Sequence, residues 1–106
     1  MLNELKKLVI AQKMAALPLE APSSELAPLH AALIHYDQIV SATVIQAIQG
    51  AAFQYPREQV TQLQSELDHL FDGLSSTSHE VDHYRKYKLR LDQMIDLVEQ
   101  VGQNHL

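Results

Sequence analysis

Two Glu-x-x-His units stand out among the residues able to do chemistry: Glu66-Leu-Asp-His69 and Glu80-Val-Asp-His83. Carboxylate and imidazole are metal ligands, and on a helix positions i and i+3 project from the same side. A short turn separates the two units, so a helical hairpin could set them at similar heights. Glu66, His69, Glu80 and His83 are therefore the candidate ligands of a metal-binding reading.

Such units on facing helices supply half of the ligand set in ferritin-like di-metal bundles, which also need a Glu from each of two further helices. Here the second helix offers only Asp37 in its interior and the first only Glu4. At about 100° per residue, His69 falls opposite the apolar stripe of its own helix, and Glu66 about 90° from it. Glu80 has a competing use as a helix cap. His79 and His83, spaced i, i+4, could clip one divalent ion but lack an evident third ligand. The balance is against a metal, and no cofactor is expected.

A second motif is the run Arg85-Lys-Tyr-Lys-Leu-Arg90, which holds half of the chain's 8 basic residues. Cations interleaved with aromatics can bind single-stranded nucleic acid. Tyr84 and Tyr87, however, fall on an apolar stripe. Asp82 to Lys86 and Lys88 to Asp92 have the spacing of intrahelical ion pairs. Arg85, Lys86, Lys88 and Arg90 read first as a solvated, salt-bridged face, then as a docking patch for an acidic partner. Weak nucleic-acid binding comes last, because a net charge of -5 repels phosphate backbones.

Catalysis has no positive support. Neither a nucleophile turn of the Gly-x-Ser-x-Gly kind nor a phosphate-cradling glycine loop occurs. The chain has no Cys, which excludes disulfides, thiolate metal sites and a Cys nucleophile and fits a cytoplasmic location. The first residues do not read as a signal peptide, and no apolar run approaches the roughly 20 residues of a membrane span.

The elements that would position these groups are helices. With 106 residues, 3 Gly and 4 Pro, the chain is one domain (1–106) with little punctuation and long elements. The spacing predicts an all-α four-helix bundle of up-down type, with helices at about 3–17, 24–53, 56–72 and 78–101. Pro18 and Pro22 close the first helix, and Ser23 or Ser24 caps the second. Tyr55-Pro56 divides the second from the third, and Gly73 stops the third. Thr77 and Glu80 have capping-box spacing for the fourth, which Gly102 ends. Val60, Leu63, Leu67, Leu70, Phe71 and Leu74 form one stripe. Tyr84, Tyr87, Leu91, Met94, Val98 and Val101 form another, with Ile95 on its flank. The third and fourth helices are expected to form an antiparallel hairpin.

The second helix departs from this pattern. Between Ala27 and Pro56 the only formally charged residue is Asp37. Apolar residues occupy two sides: Leu33, Val40 and Val44 on one, Ile34, Ile45 and Ile48 on the other. A helix apolar nearly all round must be covered nearly all round. Three other helices, one of them short, leave part of that task to a second copy of the chain or to another protein, so dimerisation could complete the bundle. The expected function is thus a non-catalytic interaction module of adaptor, chaperone or inhibitor type. Its partner would be itself or another protein, met on one of those two faces. His35, beside Tyr36 and Asp37, is expected to be a partly buried ring with polar partners.

Overall fold

A computed structural model of the chain describes residues 2–50, 55–74 and 78–104. They form four helices: α1 (Leu2–Met14), α2 (Ala27–Gln49), α3 (Arg57–Asp72) and α4 (His79–Asn104). The all-α bundle is what the spacing predicts, and the boundary shifts have local causes. The helix α1 stops short of 17 because Pro18 cannot donate to the Met14 carbonyl and pushes Leu17 out of helical geometry. The helix α2 begins at Ala27 instead of 24. A start at Ser24 would require an amide hydrogen from Pro28, whereas Pro28 in the first turn owes none. Ser23 still caps the turn, its Oγ accepting from the Leu26 amide at 3.4 Å.

Gly50 ends α2 in the left-handed region (φ 72°), with its N–H donated to the Ala47 carbonyl at 3.2 Å. Glycine adopts that conformation without the Cβ penalty of other residues. The expected continuation to Phe53 lies outside the described residues. So does Thr77 of the expected capping box; the hydroxyl seen capping α4 is Ser78, which accepts from the Val81 amide at 3.2 Å. The helix α4 passes Gly102 and reaches Asn104.

Helices α2 and α4 make the central pair. They run parallel, since His30 meets Tyr84 and Tyr36 meets Asp92. On one side lies α3, antiparallel to α4. Arg57, Gln64, Asp68 and Phe71 meet Glu99, Asp92, Lys88 and Arg85 in turn, so each step up α3 is answered by an equal step down α4. The expected hairpin is therefore present and is bridged largely by polar groups. On the other side α1 lies antiparallel to α4, with Gln12 beside Tyr87 and Arg90. The extents of 44 × 28 × 18 Å correspond to two helix layers.

The core takes Leu5 from α1 and Leu29, Leu33, Tyr36, Val40 and Val44 from α2. Val60, Leu63, Leu67 and Phe71 come from α3, and Tyr84, Leu91, Met94, Ile95 and Val98 from α4. The predicted stripes of α3 and α4 supply most of it. Each fully buried large apolar side chain stabilises the fold by about 1.5–3 kcal/mol relative to exposure. Among the described residues, no helix is long and apolar enough to cross a membrane.

Candidate functional site

The hairpin register separates the two Glu-x-x-His units. Glu66 lies on one side of the Asp68–Lys88 bridge, while Glu80 and His83 lie beyond the Arg85–Phe71 contact, toward the opposite end of α4. Glu66, His69 and Glu80 are exposed; His83 is half-buried, its ring 6.4 Å from that of Tyr84. The expectation that the units could share a height fails because the pairing of α3 with α4 is set by Asp68, Gln64 and Phe71. Among the described residues, no group of three or more His, Asp or Glu side chains could hold a metal ion.

The four cations of α4 point to different neighbours. Arg85 lies 4.8 Å over the Phe71 ring, and Lys86 pairs with Asp82 at 3.2 Å. Lys88 is drawn inward between Asp68 at 2.9 Å and Asp92 at 3.0 Å. Burial pulls the Lys88 ammonium down, but hydrogen bonds to Asp68 and Asp92 and their charges more than offset this, and the net shift is upward. Arg90 donates to the Gln12 side chain and lies 5.9 Å from the Tyr87 ring, with its Nη2 buried. Both intrahelical ion pairs expected from the spacing are present. The arrangement spreads the basic run around α4, and Lys88 and Arg90 are occupied within the fold.

The two apolar sides of α2 separate sharply. Leu33, Val40 and Val44 are at most 2% exposed and belong to the core. Leu33 and Val40 are thus covered within the fold itself, whereas Val44 lines an open groove. Ile34 and Ile48 are half-buried, and Ile45 is 54% exposed. The histidine expectation is corrected, because His35 is exposed. The buried ring is His30, whose Nδ1 is 3.0 Å from the Tyr84 hydroxyl.

Ile45 and Ile48 form one lip of a groove between α1 and α2. Val9 and Lys13 of α1, with Ala16 just past its end, form the other, and Val44, Tyr87 and Met94 form the floor. The groove exists because α1 has 13 residues and packs on α4, leaving the flank of the 23-residue α2 beside it uncovered. Its volume is about 370 Å³ and its surface is largely apolar.

One carboxylate interrupts that surface. Asp37 is half-buried in the groove wall and accepts from Ser41 Oγ at 3.3 Å and from the Tyr87 hydroxyl. Burial holds its carboxyl above the usual range, with the two hydrogen bonds pulling the other way. Burial, then the nearby Asp37, pushes the Tyr87 phenol up to about 12. Among the described residues no Lys or Arg pairs with Asp37, although Lys13 lines the same groove.

Sequence reasoning missed the groove and Asp37's place in it. The usable signal was present, since Asp37 is the sole charge on α2 and lies three residues from Ile34 and eight from Ile45. Compared with protein-family models, curated proteins and solved structures, the chain matches none.

Proposed function

We propose that this chain is a non-catalytic protein-interaction module whose docking face is the groove between α1 and α2. One observation carries the reading: after the fold has formed, α2 still presents Ile45 and Ile48 on an open, nearly uncharged lip. Monomeric proteins rarely leave contiguous apolar surface open without a use for it. The side chains best able to do chemistry are exposed, scattered or engaged in structural pairs, which leaves the groove as the surface with the most to gain from a ligand. Its half-buried carboxylate supplies orientation, since a polar group inside an apolar face penalises a misaligned partner.

The test uses the paired variant Ile45→Glu, Ile48→Glu, with an unchanged helical circular-dichroism spectrum as the control for folding. A protein or second copy that binds wild type, fails to bind the variant, and in purified form slows amide exchange across α1 and α2 supports the reading. Binding undiminished in the variant, or protection confined to α3, overturns it.

A further inference from the structure

We infer that the occupant of the groove is α1 of a second copy of this chain, in a two-fold dimer where each copy's Ile10–Met14 ridge lies in the other's groove. This rests on the groove being a docking face and adds what docks there.

The chain carries both halves of the contact. On α1, Leu5 and Gln12 face the core and are buried. Val9, Lys13 and Ala16 face the groove. Ile10 and Met14, one turn apart on the side opposite the core, are 57% and 84% exposed. With Ile45 they account for three of the five large hydrophobics exposed among the described residues, the other two being Leu19 and Leu89. The ridge and the groove therefore run side by side along the same helix, and both open away from α4. A ridge beside a groove of matching direction is self-complementary. A two-fold rotation shifted by about one helix width sets each ridge over the other groove. The interface closes on itself, so it yields a dimer and not a fibre.

Charge supports the same pairing. Lys6, Lys7 and Lys13 lie three or four positions from Ile10 and so flank the ridge. None of them makes an ion pair among the described residues. Asp37 lines the groove and makes no ion pair among the described residues. Docking the ridge of one copy brings lysines to the one carboxylate that the other holds in an apolar wall. An unrelated acidic helix would bring like charge to Asp37, whereas α1 brings a basic edge.

Sedimentation of the full chain from about 10 µM to about 1 mM reads the proposal directly. The expected result is a concentration-dependent mass that reaches two chains and stops there. Met14→Glu and Ile45→Glu alter exposed positions, so folding persists, and each is expected to weaken the dimer at least 10-fold. Asp37→Asn is expected to weaken it severalfold without lowering the urea midpoint of the dilute monomer, a combination that a purely structural role would not give. Because the chain has no cysteine, Met14→Cys protein mixed with Ile45→Cys protein and a short bis-maleimide should give the cross-linked mixed pair in preference to either like pair.

A monomer at every concentration overturns the inference, as does a dimer indifferent to Met14→Glu. If the chain is monomeric yet the Ile45→Glu, Ile48→Glu variant still loses a different, identified protein, only the second-copy proposal falls and the docking groove stands. If no partner of either kind is lost, both fall.

Discussion

The Tyr36 hydroxyl donates to Asp92 Oδ1 at 2.6 Å, joining the centre of α2 to the centre of α4. Gln64 of α3 donates to both oxygens, at 3.0 and 3.2 Å, so three helices meet at one partly buried polar point. The ring is fully buried, and burial followed by the Asp92 hydrogen bond and charge drives the phenol upward. A buried hydrogen bond to a charged acceptor contributes about 1.5–3 kcal/mol. Tyr36→Phe keeps the ring and removes that bond together with the one the hydroxyl accepts from Gln64. Urea unfolding should show a loss toward the lower end of the range, because Asp92 retains Gln64 and Lys88.

Lys88 and Lys86 are two positions apart on α4 and should behave differently. The Lys88 side chain is 13% exposed and bridges Asp68 and Asp92, which brings α3 against α4. The Lys86–Asp82 pair is largely in water. Lys88→Met should cost about 1–3 kcal/mol, since it leaves the partly buried Asp92 without its cation. Lys86→Met should stay within about 0.5 kcal/mol. Equal effects in chemical denaturation would contradict this placement of the two ammonium groups.

The alkaline limb of stability follows from the tyrosines and Lys88. Tyr36, Tyr55, Tyr84, Tyr87 and Lys88 all have folded pKa values above their ordinary ones. A group shifted upward contributes stability that is complete below its unfolded value, near pH 10 for Tyr and Lys, and lost as the pH rises through the folded value. For Tyr87 the loss runs from about 10 to about 12. Melting temperatures should therefore vary little with these groups between about pH 7 and 9 and fall steeply above about pH 10. Replacing Tyr36 with Phe should make that fall shallower.

The two apolar sides of α2 can be told apart by truncation. Leu33 is fully buried and Ile45 is 54% exposed. Leu33→Ala should cost about 2–5 kcal/mol, combining lost burial with the cavity left behind. Ile45→Ala in dilute solution should cost about 0.5 kcal/mol or less. A large loss at Ile45 in the monomer would mean that this residue is part of the core.

The residues along the chain determined the helices, their approximate ends and the stripes of α3 and α4. These properties are local: proline lacks an amide hydrogen, glycine accepts a positive φ, and apolar side chains three and four apart share one face. The near absence of charge on α2 was also legible, along with the intrahelical pairs Asp82–Lys86 and Lys88–Asp92. Which side of α2 turned inward was not, because Leu33 and Ile34 are equally apolar and only the arrival of α3 and α4 distinguishes them. The same holds for the polar contacts. His30 with Tyr84, Tyr36 with Asp92 and Gln12 with Arg90 each join residues more than fifty positions apart. No spacing rule reaches that far. The groove has the same origin: the length of α1 was readable in Pro18, but its seat against α4, which leaves α2 open beside it, was decided by packing.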